Sequence, residues 1–498
     1  MGFAQSLFVI AVTAYSGLAM ALPPERGADK IAPRLRKLMR EDQGRLPILV
    51  VLKDKADLSG AKGLRSKGDK ASFVYQSLAH TAARSQESLL EYLGSQKATF
   101  DSYYIINMIA VRNASDALIA ELAAREDVER ILGNHEFHGL TNLADDLGAD
   151  HLEGRGVEAN ITATGAPKVW TELGVTGANV VIGGQDTGVQ WNHPALITKY
   201  RGWNGTVASH DYNWYDAVRG PIANASNKCG FASLEPCDDN AHGSHTIGTV
   251  VGDDGAGNQV GMAPGAQWIA CRNMDAGIGE ASTYIRCFEF LMAPFPRNGS
   301  NMKDGRPDLG ADVINNSWGC PSEEGCSGSE MREILAALKA AGVVVVVSAG
   351  NSGPSCGSIA DQPATVSDLT LSVGAYDHRS GAIAGFSSRG PSLLDQAVGP
   401  DLVAPGVGIR SSVPGGGYQG GYSGTSMAGP HVVGAVALLL SARPDLRGNP
   451  DAVMELVKQR SVPTTSSQNC GAIPGRQVPN NTFGYGLLDT YQMVKTVL

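Results

Sequence analysis

The segment Gly424-Thr425-Ser426-Met427-Ala428-Gly429-Pro430-His431, running directly into the apolar stretch Val432 to Leu440, decides how the chain is read. Gly424 permits a tight turn, and Ala428 and Gly429 keep a first helical turn slim. Val432, Val433, Val436 and Leu438-Leu439-Leu440 would sink the helix into a core. Ser426 then lies near the helix N-terminus, where free backbone N–H groups and the dipole favour negative charge. A hydroxyl there suits attack on a carbonyl, because donors already face the oxyanion that forms. A helix-capping serine is the plainer reading, and the remainder of the chain has to separate the two.

At 498 residues the chain exceeds one ordinary domain and suits a domain of roughly three hundred or more residues with a smaller companion. The 62 glycines against 11 phenylalanines point to many tight turns. A formal net charge of −9 with no long basic block argues against a nucleic-acid partner. Leu7 to Ala21 is an apolar run ending in Ala19-Met20-Ala21. It reads as an export signal over residues 1–21, although no Lys or Arg precedes it. The run is short for a spanning helix and broken by Ser16 and Gly17, so we expect a secreted protein, extracellular or periplasmic, with no membrane contact after signal removal.

All 8 cysteines follow the first third of the chain, and an even number in an exported protein suggests disulfides. Cys229 with Cys237, and Cys320 with Cys326, are close enough to staple single loops; Cys271 with Cys287 is the next pairing, and Cys356 with Cys470 follows by elimination. Eight cysteines allow 105 connectivities. A zinc site is the rival, but no Cys-x-x-Cys pair occurs.

From about Arg45 to His138 the pattern reads strand, helix, strand, helix, strand: Ile48 to Leu52, Ala71 to Leu93, Tyr103 to Val111, Ser115 to Ala124 and Val128 to Leu132. Residues from Gly133 to Asn160 are polar and glycine-bearing, as in a linker. Beyond it, Ala166 to Glu172 reads as a helix and Val180 to Asp186 as a strand. Asp186 thus falls at a strand's carboxyl end, where open α/β sheets place functional residues, unless it merely closes an Asx turn. His242 heads the small-residue segment His242-Gly243-Ser244-His245. His242 and His245, three apart, could be metal ligands, but no third ligand at suitable spacing follows, and His245 is as readily structural. Gln267 to Cys271, Asp312 to Asn316 and Val343 to Ser348 read as strands. Ser282 to Leu291, Glu330 to Ala341 and Gly429 to Ser441 read as helices. This alternation implies a parallel sheet covered on both faces. Asn351 follows the strongest strand, in a segment that would otherwise be an ordinary turn.

A strand-end aspartate, a helix-heading histidine and a helix-heading serine are the parts of nucleophilic acyl transfer. Asp186-Thr187-Gly188, His242-Gly243-Ser244-His245 and Gly424-Thr425-Ser426-Met427-Ala428 resemble, in order and context, the three signatures of the subtilisin-like serine proteases, from about Val157 to Leu498. Asn315-Asn316-Ser317-Trp318-Gly319, Phe386 to Pro391 and Phe483-Gly484-Tyr485-Gly486 resemble the bacillopeptidase F branch. The N-terminal domain resembles the inhibitor-like propeptide of the same family.

The resemblance implies an α/β, three-layer subtilisin-like fold with a mostly parallel sheet flanked by helices, preceded by a small α+β, ferredoxin-like propeptide domain. Residues 28–140 would be that propeptide, 141–156 a linker or processing region, and 157–498 the catalytic domain. It implies Ser426 as nucleophile, His242 as base, Asp186 as its orienting carboxylate, and Asn351 with the Ser426 N–H as oxyanion hole. Ser317, Trp318 and Gly319, with Ser348, Ala349 and Gly350, would form the walls of the specificity pocket. The pocket floor falls near Ile359-Ala360-Asp361, and an inward-facing Asp361 would favour a basic side chain. The expected protein is an exported, self-processed serine endopeptidase. Its partners are polypeptide substrates and its own propeptide as intramolecular chaperone and inhibitor.

The chemistry needs no cofactor and no metal. Structural calcium through Asp253 or Asp254 stays unassigned, because glycine stands where relatives carry a ligand asparagine. Asn113, Asn160, Asn204, Asn224 and Asn298 head glycosylation motifs; so does Asn315, where a glycan would collide with a bound substrate. Other classes fit less well. A silent peptide binder would have a broken triad, an esterase the order Ser, Asp, His around a Gly-x-Ser-x-Gly elbow, and a glutamate-based protease no full histidine signature.

Overall fold

The computed structural model describes residues 27–41, 44–138, 143–144, 156–222, 227–321 and 328–498. The expected signal at 1–21, most of the processing region 141–156, Asn224 and Cys326 lie outside them.

Seven strands form the main sheet in the order Leu402–Pro405, Leu371–Tyr376, Val344–Ser348, Val313–Asn316, Val181–Asp186, Gln267–Arg272 and Trp214–Asp216. Every neighbouring pair is parallel. The run Val344-Val345-Val346-Val347 is buried throughout and divides its side chains by the period of two. Val345 and Val347 join the core under the helices Ala281–Met292 and Gly328–Ala340. Val344 and Val346 join the opposite core, under Thr425–Ala442 and Pro450–Gln459. This is the expected three-layer α/β fold. Thr425–Ala442 is long and apolar enough to cross a membrane, but it is mostly buried inside the protein.

The first hundred or so described residues form a second, four-stranded antiparallel sheet in the order Phe100–Tyr103, Met108–Ala114, Leu46–Leu52, Val128–Gly133. The helices Lys67–Ser95 and Asp116–Ala124 connect it. The single strand expected over Tyr103 to Val111 is instead a hairpin, turning at 104–107. Its turn is apolar because it is not a surface turn: Tyr104, Ile105 and Ile106 are buried in one continuous cluster with Phe288, Met292 and Ile334 of the main domain. The tail expected as linker is also paired. Glu136–His138 runs antiparallel to Ile278–Glu280, and Leu143–Ala144 antiparallel to Tyr422 and Ser423.

The disulfides Cys229–Cys237, Cys271–Cys287 and Cys356–Cys470 are present, as expected. Cys320 is also disulfide-bonded; its expected partner Cys326 lies outside the described residues. Asn160 and Asn315 are buried in the fold, which withholds both from glycosylation, whereas Asn113, Asn204 and Asn298 are exposed.

Cys356–Cys470 closes a span of 114 residues, the longest of the three. Chain entropy sets its stabilisation at about 2–5 kcal/mol. The pair of substitutions Cys356→Ser and Cys470→Ser should lower the thermal midpoint by several degrees in calorimetry. Adding a thiol reductant should then lower the midpoint of the variant less than that of the wild type.

Candidate active site

The residues singled out by sequence collect at the carboxyl edge of the main sheet. Asp186 ends its strand and His242 starts the helix His242–Val251. The two side chains meet directly, with His242 Nδ1 2.8 Å from Asp186 Oδ1 and 2.9 Å from Oδ2. Backbone contact makes this possible: a Cβ on Gly243 would lie 2.0 Å from the Gly188 carbonyl oxygen, so only glycine fits there.

Asp238, which sequence reasoning passed over, organises the same corner. Its carboxylate accepts from Ala241 N and Ser244 N at the head of the histidine helix, at 2.9 and 2.8 Å, and from Thr187 Oγ1 at 2.8 Å. Thr187 Oγ1 accepts in turn from Gly243 N at 3.0 Å. The carboxylate sits where a helix N-terminus favours an anion, and it holds Ala241 at a left-handed φ of 83° just before His242. The Cys-Asp-Asp-Asn run before His242 was the available signal. Ser244 Oγ accepts from Gln190 N at 2.9 Å, so serine suffices at that position.

Burial opposes charge on the His242 ring, but the Asp186 carboxylate, by attraction and hydrogen bond, outweighs it and raises its pKa, with Asp238 adding to the effect. The next histidine behaves oppositely. His245 is fully buried, stacks on Tyr422 at 4.2 Å and approaches Ile409 O at 3.3 Å; burial pushes it down to about 3. Of the two roles the sequence left open for His245, these contacts favour the structural one.

Ser426 stands in the first turn of Thr425–Ala442, a helix that packs against the histidine helix. Its hydroxyl donates to the Ser317 carbonyl oxygen at 3.0 Å, while Ser317 Oγ donates back to Ser426 O at 3.0 Å. The structure thus joins Asp186 to His242 by hydrogen bond and leaves the Ser426 hydroxyl turned to Ser317. Asn351 Oδ1 accepts from Thr425 N and Thr425 Oγ1, both at 2.9 Å, which fixes the side-chain amide. A Cβ on Gly424 would lie 3.6 Å from Asn351 Nδ2 and 3.7 Å from Ser426 N, so the two donors border one space.

Trp318 is buried, its ring 3.9 Å from Tyr284 between centroids, and Phe137 stacks on the same Tyr284 at 4.9 Å. Ser348 ends the central strand and Ala349 follows it, both buried, and Gly350 takes a φ of 100° against Ser388. Asp254 fits calcium poorly. Its oxygens accept from Ala256 N, Asn258 N, Asn258 Nδ2 and Tyr418 Oη; burial opposes the charge, but these bonds hold its pKa at about 2. Among the described residues no group of three or more His, Cys, Asp or Glu side chains could hold a metal ion.

The family model of the subtilase family matches residues 177–486. Over 503 aligned residues the chain is 36% identical to bacillopeptidase F of Bacillus subtilis (strain 168), covering 94% of this chain and 32% of that protein. It is 33% identical over 296 residues to subtilisin amylosacchariticus of Bacillus subtilis subsp. amylosacchariticus, covering 59% of this chain and 64% of that protein. It is 32% identical over 290 residues to subtilisin of Bacillus pumilus, covering 58% and 86%. The chain therefore spans about a third of bacillopeptidase F and just under two thirds of subtilisin amylosacchariticus.

The Asp186–His242 contact makes a titration prediction. In the wild type the His242 imidazole should titrate above 6.5. In Asp186→Asn burial still opposes the charged ring while the opposing carboxylate is gone, so the value should fall below 6.5. The stability the pair contributes is present below the ordinary histidine pKa and is lost as pH rises through the raised one. Proton NMR of the imidazole across pH checks this; equal titration in both proteins would refute it.

Proposed function

This chain belongs to the subtilase family, and from that premise we propose that it is an exported serine endopeptidase made as a precursor that cuts itself. The observation that carries the reading is the Asp186–His242 pair, heading a helix packed on the Ser426 helix with Asn351 alongside.

In this reading Ser426 Oγ attacks the scissile carbonyl carbon, His242 Nε2 takes its proton, and Asp186 holds the Nδ1–H and balances the imidazolium. The oxyanion is received by Asn351 Nδ2 and the Ser426 N–H. His242 then gives the proton to the departing amine, and a water activated by the same ring releases the acyl group from Ser426. The Ser426 hydroxyl first has to leave the Ser317 carbonyl, a rotation about one side-chain bond. Loose geometry of this kind is common before substrate arrives. An extended substrate would add as a strand between Ile278–Glu280 and Ser317-Trp318-Gly319, with Ser348, Ala349 and Gly350 as the facing wall.

The precursor reading rests on the tail of the N-terminal domain. Glu136–His138 already pairs with Ile278–Glu280, and Phe137 stacks on Tyr284, which packs on Trp318. Leu143–Ala144 pairs with the strand that leads into Ser426. Residues 28–140 would thus assist folding and block the cleft until the region 141–156 is cut. Export on the signal at 1–21 would deliver the catalytic domain, 157–498, to the cell exterior or the periplasm.

Intact-mass analysis should find the wild type split between the two domains and Ser426→Ala whole. A serine-directed phosphonate should label the wild type at Ser426. If the leader-free protein neither cleaves unfolded protein nor takes the label, the proposal fails. Asn351→Ala should lower kcat by about 10²–10³ with little change in KM. Phe137→Ala should weaken self-inhibition roughly a hundredfold, read as the loss of latency before activity appears, because a buried aromatic anchor is removed.

A further inference from the structure

We infer that Asn315 is a positioning residue for Ser426, acting through the Ser317 hydroxyl on the main-chain carbonyl of the nucleophile, an inference that rests on the proteolytic reading above. Proline stands at position 430, inside the helix Thr425–Ala442. In an α-helix the Ser426 carbonyl accepts from the N–H four residues on, and Pro430 has no N–H to give. The Ser317 side chain supplies a donor in its place, Ser317 Oγ donating to Ser426 O at 3.0 Å. A hydroxyl has a single proton, and Asn315 decides where it points. Asn315 Nδ2 donates to Ser317 Oγ at 3.0 Å, which leaves the hydroxyl hydrogen for Ser426. Both residues are buried, so water competes weakly for either group.

Ser426 is thereby gripped from both sides. Asn351 holds Thr425, the residue before it, and the Asn315–Ser317 pair holds the carbonyl of Ser426 itself. In the resting site a second tie runs the opposite way, from Ser426 Oγ to Ser317 O. Attack breaks that tie, because the hydroxyl has to turn to His242. The bond from Ser317 Oγ then keeps the Ser426 main chain against the segment that follows the strand Val313–Asn316, so its effect is realised in the transition state and not in substrate binding. Two observations set Asn315 apart from an ordinary core residue. Its Oδ1 is buried with no hydrogen-bond partner among the described residues, a cost that an apolar side chain would avoid. The chain of bonds also passes beneath the bare Cα of Gly429, where a Cβ would lie 3.7 Å from Asn315 Oδ1 and 3.9 Å from Ser317 Oγ, so the head of the Ser426 helix lies directly on it.

The test follows self-cleavage of the full chain, a first-order reaction independent of KM, and peptide hydrolysis by the processed protein. Ser317→Ala should slow self-cleavage and lower kcat by at least about tenfold, with KM within about threefold. Asn315→Ala should lower kcat by about threefold to tenfold. The double variant should lose no more than Ser317→Ala alone, because Asn315 then has no hydroxyl to orient. Pro430→Ala gives residue 430 an N–H, so in that background Ser317→Ala should cost less than about threefold; this arm needs no change at Asn315 and stands even if Asn315→Ala folds poorly. Full activity of Ser317→Ala, losses that multiply in the double variant, a loss in KM instead of kcat, or an undiminished loss in the Pro430→Ala background overturns the assignment. In each of those cases the phosphonate label on wild-type Ser426 keeps the proteolytic reading intact. No cleavage together with no label overturns both.

Discussion

Asp186 reaches His242 because two backbones touch. The turn after the strand and the head of the histidine helix are in contact at Gly188 and Gly243. A Cβ on Gly188 would lie 1.7 Å from the Cys237 carbonyl oxygen, as the one on Gly243 would crowd Gly188. A methyl group on Gly243 would push the helix away from the strand turn by more than a hydrogen bond can stretch, and one on Gly188 would displace the Cys237–Asp238 backbone that leads into it. The parallel sheet supplies the other half of the constraint, since Asp186 is held in register between Arg272 and the end of Val313–Asn316. Ser426 and Asn351 are then set by the same means, through Thr425, whose N–H and hydroxyl both bind Asn351. The Asp186, His242, Ser426 and Asn351 side chains are thus positioned by buried backbone and by side chains one residue away.

Docking of the N-terminal domain uses the forces of a core. Tyr104, Ile105 and Ile106 are buried against the main domain, and full burial of such side chains is worth about 1.5–3 kcal/mol each. The turn that carries them would leave backbone N–H groups without water, and Glu289 answers this. Its Oε1 accepts from Tyr104 N and from Ile105 N, while Tyr104 Oη donates to its main-chain carbonyl at 3.0 Å. A buried carboxylate is costly alone, and Arg286 pairs with it at 2.5 Å. Lys67 with Asp312, and Arg130 with Glu330, fix the remaining edges.

The sequence made the main domain legible because its signals are local. A valine run buried on both faces reads as a central parallel strand, and an apolar run behind small residues reads as the helix that carries Ser426. The strand-end aspartate, the helix-heading histidine and Asn351 could be named for the same reason. What stayed hidden depends on contacts between distant segments. The turn at 104–107 looked like strand because its apolar residues face another domain. The tail at 136–138 looked like linker because its partner strand lies far along the chain and its alternating pattern covers only three residues. Asp238 looked like part of a polar loop, since its role is defined by the backbone donors it accepts. The orientation of the Ser426 hydroxyl toward Ser317 is a rotamer, which no sequence pattern encodes.

The tail's path bears on how inhibition and selectivity are divided. In the proposed precursor the edge strand Ile278–Glu280 is satisfied by Glu136–His138 as long as the chain is continuous, so a substrate strand competes with an intramolecular partner at high effective concentration. A cut between the domains turns that partner into a ligand whose occupancy depends on dilution and on the docking contacts of Glu289 and Phe137. Main-chain pairing tolerates many sequences, and the aromatic pocket around Tyr284 and Trp318 asks only for apolar bulk.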